Sequence, residues 1–270
     1  MREETVTSAR NPKIKNLLLL QEKSKARREQ GLFVVEGRRE LEHCIAAGFT
    51  VRTLFVCPEI AGQAGNDVMS GSCVMPGSDR ASVITLPEQL YRKVACREST
   101  EGIIAEVEYK SLKLENLDLP ENPLVMVLEA VEKPGNLGAV LRSADAAGAH
   151  AVILCDPLTD LYNPNLIRAS IGAVFTVPTV ACTSADAIAF LQARGIRILT
   201  AQLQDSSLYY DVDMRRGTAL VMGTESTGLT DVWRRAASAH IRIPMLGRLD
   251  SLNVSVSAAI LLFEAVRQRQ

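Results

Sequence analysis

Histidine is scarce in this chain, tryptophan scarcer still, and long apolar runs are missing. Its 270 residues hold three histidines, six cysteines and one tryptophan. His43, His150 and His240 stand far apart, and Cys44, Cys57, Cys73, Cys96, Cys155 and Cys182 are scattered with no C-x-x-C pair. A structural zinc site or a disulfide framework is therefore not expected, and no metal is assigned. No apolar stretch approaches the roughly 18 residues that span a bilayer, and the first residues lack the order of a signal peptide. The expectation is a reduced, cytoplasmic protein with no membrane partner. A net charge of one sign is missing too, since 30 basic residues against 31 acidic ones leave −1. Global charge neither demands nor excludes nucleic acid, so local charge must decide.

What is present is the composition of a soluble globular protein, 47% hydrophobic and 23% charged, long enough for one large or two ordinary domains. Between Arg10 and Arg28 lie seven basic residues (Arg10, Lys13, Lys15, Lys23, Lys25, Arg27, Arg28) and one acidic residue, Glu22. Lysine and arginine that displace counterions supply most sequence-independent affinity for nucleic acid, so this is a candidate phosphate-contacting surface; a solvated helix face is the plainer reading. Beyond it, strands at 31–37, 51–56, 81–85 and 103–107 alternate with helical segments at 38–47 and 86–95, which implies a small α/β layer domain over residues 1–109. Residues 110–122, polar and broken by Pro120, read as a linker.

The second half, 123–270, restarts with Leu124–Leu128, a continuous apolar strand of the kind covered on both faces. A polar turn, a helix over 137–147 and the strand 151–154 complete a βαβ unit. A short helix over 163–172, a strand at 174–177, a helix over 184–194, strands at 196–201 and 218–222 and a helix over 231–237 follow. The tail then passes from a strand end near Ile241 through Leu249-Asp-Ser-Leu-Asn253 onto a helix, for which Ser251 and Asn253 are suitable N-caps. An ordinary capped helix is the plain reading of that loop, and exposed amides at its start would also suit an anion.

Three polar loops thus follow buried strands and precede helices: Pro134-Gly-Asn-Leu-Gly-Ala-Val-Leu-Arg142, Gly223-Thr-Glu-Ser-Thr-Gly-Leu229, and Ile243-Pro-Met245 with Ser251-Leu-Asn-Val-Ser255. None is a G-x-G-x-x-G or P-loop motif, so a dinucleotide or nucleoside triphosphate gains no support. Together they resemble the three motifs of the SPOUT-class RNA 2′-O-ribose methyltransferases, the TrmH or SpoU family, over residues 124 to about 267. Upstream, Ser8-Ala-Arg-Asn-Pro-Lys-Ile-Lys and Phe33-Val-Val-Glu-Gly37 resemble that family's N-terminal substrate-binding domain, itself similar to small ribosomal RNA-binding proteins.

The resemblance implies an α/β protein: a trefoil-knotted, mostly parallel SPOUT domain that binds S-adenosyl-L-methionine and works as a homodimer on structured RNA. Ribosomal RNA is favoured over transfer RNA because of the separate front domain. It implies that Arg142 and Asn136 handle the ribose 2′-hydroxyl, with Glu225, Ser251 and Asn253 completing the catalytic set and Asn253 expected to touch Asn136 or the substrate. Because arginine keeps its proton, bidentate capture of an RNA phosphate is a more physical role for Arg142 than general base. Thr200, Ala201, Gly223, Ile243, Met245 and Leu252 are implied cofactor contacts, largely through the backbone. Arg10, Lys13, Lys15, Arg27, Arg28 and Arg168 are the candidate RNA contacts, with Ser170 beside Arg168. Relatives often have Asn and Gly where this chain has Thr224 and Ser226, which leaves only the backbone role open there. Two rival readings are an RNA-binding protein of this fold without catalysis and a different α/β nucleotide-binding enzyme.

Overall fold

Two cores organise the chain. The computed structural model describes residues 2–62, 81–96, 101–224, 227–248 and 251–270. The chain up to Lys110, joined by Tyr162–Gly172, forms one compact unit; Ser111–Leu161 and Ala173–Gln270 form the other.

In the first unit the elements run β1 (Arg2–Thr5), α1 (Pro12–Glu22), α2 (Ser24–Gln30), β2 (Leu32–Glu36), α3 (Arg38–Ala46), β3 (Val51–Val56), β4 (Ser82–Thr85), α4 (Glu88–Val94) and β5 (Ile103–Glu108). The sheet order is β1-β4-β3-β5-β2, with β5 antiparallel to both neighbours and the other pairs parallel. Helix α1 starts where it does because proline is preorganised for a first helical turn and the Asn11 side chain accepts the Lys13 N–H at 2.9 Å. Its Ile14, Leu17 and Leu20 are fully buried and pack in one cluster with Phe55, Ile84 and Tyr91.

The segment 162–172, which the sequence groups with the second half, packs into this first unit instead. The Tyr162 ring stacks on Phe33 at 4.3 Å and lies 4.7 Å from Tyr109. Aromatic pairing of this kind outweighs sequence adjacency. The segment includes a helix over Pro164–Ser170, capped by Asn163. It ends at Gly172, whose φ of +81° and approach to His43 (a Cβ would lie 2.9 Å from Nδ1) leave room only for glycine.

The second unit contains β6 (Leu124–Glu129), α5 (Pro134–Ala146), β7 (Ala151–Cys155), β8 (Thr179–Cys182), α6 (Ser184–Ala193), β9 (Arg197–Ala201), β10 (Ser207–Leu208), β11 (Thr218–Met222), α7 (Asp231–Ala236), β12 (Ala239–Arg242) and α8 (Val254–Arg269). All described pairings of its seven-stranded sheet, order β10-β12-β9-β11-β6-β7-β8, are parallel. Every residue of β6, β7 and β11 is buried, which is why those strands read as unbroken apolar runs.

Two expectations are corrected here. Residues 174–177 are not a strand: Ala173–Thr176 is a helical turn, and the strand is Thr179–Cys182, paired with β7. Valine's β preference yields to tertiary packing, and Pro178 separates turn from strand. Nor is 110–122 a free linker. Leu117 is 3% exposed in the core of the second unit, with Leu112, Leu114 and Leu119 packed against it. Among the described residues no helix is long and apolar enough to cross a membrane.

Candidate active site

Because the sheet is parallel, the carboxyl ends of β6, β9, β11 and β12 lie at one edge, and the turns that follow them meet there. Those after β9, β11 and β12 enclose a cavity of about 300 Å³. Ala201 and Gln202 wall it from β9, Met222 and Gly223 from β11, and Ile243, Met245, Ser251 and Leu252 from the chain between β12 and α8. A smaller cavity of about 170 Å³, lined by Ala130, Lys133 and Asn136, shares Gly223, Thr224 and Val254 with the first. Its turn is strained, since Ala130 sits at a φ of +52°.

The turn after β11 is closed on itself. A Cβ on Gly223 would lie 2.2 Å from the Gly228 carbonyl oxygen, so no other residue fits without moving backbone. Thr224 and Gly228 form a bridge, and the Gly228 N–H donates to the Thr224 carbonyl at 3.0 Å. The Thr224 and Thr227 hydroxyls share a hydrogen bond of 2.7 Å, so the Thr224 side chain works inside the turn. Downstream, the buried Glu129 at the end of β6 accepts from the Thr230 N–H at 2.8 Å and the Thr230 hydroxyl at 2.6 Å. That carboxylate ties the turn to β6 across 101 residues of sequence.

Asn253 joins the first and third loops. As the N-cap of α8 its Oδ1 accepts from the Ser255 N–H at 2.9 Å and the Ser255 hydroxyl at 2.6 Å. With the oxygen so engaged, the amide nitrogen faces away and donates to Asn136 Oδ1 at 3.0 Å. The cap fixes the amide of Asn253, and Asn253 fixes that of Asn136.

Of the cofactor contacts expected from the sequence, Ala201, Gly223, Ile243, Met245 and Leu252 line the larger cavity, as does Ser251. Thr200 does not: it is fully buried, and its hydroxyl lies 2.6 Å from His240 Nδ1 on the neighbouring strand, so it supports the wall from behind. Arg142 lies on the exposed side of α5, outside both cavities, without a hydrogen-bond or ion-pair partner among the described residues. It is six residues from Asn136, a spacing that points two helical side chains in different directions. Glu225 and Ser226 lie outside the described residues. Sequence reading missed Gln202 and Arg234 on the cavity wall, and Glu129 as the anchor of Thr230. A glutamine after a strand or an arginine in a short helix has no motif to single it out.

In the first unit Arg10, Lys15 and Arg28 are exposed with no ion-pair partner among the described residues, while Lys13 is paired with Glu4. Arg27 corrects the expectation of an RNA contact. It is 2% exposed, and its guanidinium donates to the carbonyls of Leu20 at 2.6 Å and Gln21 at 3.1 Å, closing the α1–α2 junction. Arg168 is exposed and donates to Asn165 Oδ1 at 2.9 Å, whereas Ser170 is buried and bonds the Ile167 carbonyl.

The larger cavity combines apolar walls with few polar groups, the character of a site for a mostly buried small molecule. Two of those groups are incomplete: Gln202 Oε1 and Arg234 Nε are buried and have no hydrogen-bond partner among the described residues. A pocket for an adenosyl group with a charged end needs this mixture, so the residues fit one.

Comparison with known proteins gives these features a family. Residues 123–263 match the SpoU rRNA Methylase family, and residues 11–105 match an MRM3-like substrate binding domain. A 23S rRNA (guanosine-2′-O-)-methyltransferase of Bordetella pertussis is 41% identical over 175 residues, 63% of this chain and 71% of the relative. A 23S rRNA uridine 2′-O-methyltransferase of Streptomyces viridochromogenes is 30% identical over 97% of this chain and 92% of its own. Among solved structures, an AdoMet-bound rRNA methyltransferase from Sinorhizobium meliloti superposes with a TM-score of 0.87 at 30% identity, covering 98% of each chain. With its turns gathered at one edge of a parallel sheet and its sequence matched over more than half its length, the chain belongs to the SpoU rRNA methylase family.

Proposed function

We propose that this protein transfers a methyl group from S-adenosyl-L-methionine to a ribose 2′-hydroxyl of ribosomal RNA. The observation that carries this reading is the 3.0 Å bond between Asn253 and Asn136, which links the larger cavity's third loop to the smaller cavity beside it. Relatives named as 23S rRNA 2′-O-methyltransferases support the ribosomal substrate over a transfer RNA.

When bound, the cofactor supplies a methyl group on a positively charged sulfur, and the protein's task is to bring an oxygen to it in line. Ala201, Ile243, Met245 and Leu252 exclude water from the larger cavity. Asn136, held by Asn253, orients the hydroxyl at the smaller one. Arg142, an exposed guanidinium with no partner among the described residues, grips an RNA phosphate in bidentate fashion and sets the register of the ribose. It keeps its own proton, and the hydroxyl proton leaves to a phosphate oxygen or to water. Orientation supplies most of the rate in such a scheme. Exposed Arg10, Lys15, Arg28 and Arg168 hold the RNA electrostatically. The trefoil threading of the second unit and a two-domain division near residue 110 are carried over from the family.

The protein acts as a homodimer through α8. Val256 and Phe263, two turns apart on α8, are 47% and 48% exposed, an apolar face that a second copy would cover. Sedimentation should give a dimer for the native chain and a monomer for Phe263→Arg; a native monomer refutes the assignment.

The transfer itself is tested by incubating the protein with ribosomal RNA and cofactor labelled in the methyl group, then digesting the RNA with alkali. Label in alkali-resistant dinucleotides is expected, since a 2′-O-methyl group blocks cleavage. Label on a base, or RNA binding with no transfer, would contradict the proposal.

A further inference from the structure

Among the described residues, the wall of the larger cavity has one buried donor and one buried acceptor without partners, and their chemistry restricts what completes them. Buried polar groups are almost always hydrogen-bonded, because an unpaired one loses its water for nothing. Arg234 Nε is such a donor and Gln202 Oε1 such an acceptor, both on the wall of this cavity.

Neither is easily satisfied from within the chain. The outer end of the Arg234 guanidinium approaches Asp231 only loosely, with Nη1 3.7 Å from Oδ1, and that aspartate side chain is 75% exposed. The Arg234 side chain is itself 40% exposed, so this loose ion pair is screened by solvent and leaves Nε still to be partnered. The other arginine on the wall, Arg242, already donates to the Ser206 carbonyl. Gln202 donates through Nε2 to the Gln204 carbonyl at 2.9 Å. Turning its amide over would set two oxygens against each other, so the acceptor is the atom left without a partner.

Resting on the methyl-donor reading above, we propose that Arg234 and Gln202 recognise the amino-acid end of the cofactor, Arg234 taking its carboxylate and Gln202 its ammonium. An α-amino acid bears one anion and one cation on a single carbon, which is the complement of one unpaired donor and one unpaired acceptor. A guanidinium meets a carboxylate better than any neutral group on an adenosine. The nucleoside end is left to the apolar walls and the backbone. Arg234 and Gln202 thus distinguish the whole cofactor from its shortened nucleoside.

The test is calorimetric titration with two probes that share the nucleoside and the sulfur: S-adenosylhomocysteine, which has the amino-acid end, and 5′-methylthioadenosine, which lacks it. Arg234→Met should weaken S-adenosylhomocysteine by about 10- to 100-fold, the range of a charged hydrogen bond, and change 5′-methylthioadenosine by less than about twofold. Gln202→Leu should show the same pattern with a smaller loss, and Arg234→Lys, which keeps the charge and the packing stem, should fall between. Equal weakening of both probes, or of neither, overturns the assignment while leaving the methyl-donor reading in place. A native protein that binds neither probe overturns both.

Discussion

The two sheets of this protein treat their polar residues differently. In the second unit the strands of the described sheet all run the same way, so turns from four of them converge, and Asn136 and Asn253 meet from positions 117 residues apart. In the first unit β5 runs against both β2 and β3, which divides the strand ends between two edges. Its basic residues sit around α1 and α2, some exposed, one paired with Glu4, one buried as a structural brace. A parallel sheet gathers a site from distant loops; a mixed sheet with basic helices offers a charged surface without fixed geometry. Chemistry should depend on single positions in the second unit and on summed charge in the first.

The largest effect should follow Arg142→Ala. If its guanidinium places the RNA, turnover should fall by at least about 100-fold while calorimetric binding of S-adenosylhomocysteine stays unchanged. Near-normal turnover would remove Arg142 from the mechanism. Gly223→Ala comes next. Its new Cβ would meet the Gly228 carbonyl at 2.2 Å, so cofactor affinity should drop by about 10- to 100-fold. Native affinity would show that the turn has room the structure does not give it.

Smaller effects sharpen the contrast from the other side. Replacing Arg10, Lys15 and Arg28 together by glutamine should weaken RNA binding and lower its logarithmic salt slope by about 2 to 3, whereas Arg27→Met should leave the slope alone and cost about 1–3 kcal/mol of stability. An equal slope change for Arg27→Met would place that residue back on the RNA surface. The least effect is expected at Glu106, which is 7% exposed and whose carboxyl is pushed above the usual glutamate range by burial, against the pull of Thr53, Asn16 and Lys13. A raised folded value means its contribution is fully present below 4.5 and is lost as pH rises through that folded value. Glu106→Gln should therefore melt higher than the native protein at neutral pH, with the difference gone in acid. A pH-independent difference in melting would refute the burial argument.

The sequence was most legible where local chemistry and tertiary packing agree. Apolar runs at 124–128 and 218–222 announced buried parallel strands, and Asn253 announced a helix cap. The contact of Asn253 with Asn136 followed from the family resemblance; that the cap sets which end of the amide makes it needed the fold. Glu129 looked like any strand-end acid, yet it anchors Thr230 from 101 residues away. Residues 174–177 misled because valine favours strands, while Ala173–Thr176 packs as a helical turn against α5, where the Thr176 hydroxyl donates to Asp145 at 2.6 Å. Arg27 misled because charge density says nothing about which side of a helix a residue occupies. Gln202 and Arg234 gave no signal at all, since an unpaired buried atom exists only once the walls around it are folded.

Amide hydrogen exchange with and without S-adenosylhomocysteine tests the central claim most directly. Slower exchange is expected together at 201–204, 222–224, 243–245 and 251–254, with 10–28 unchanged. Protection absent from these turns, or confined to one of them, would contradict a single methyl-donor pocket at the edge of the parallel sheet.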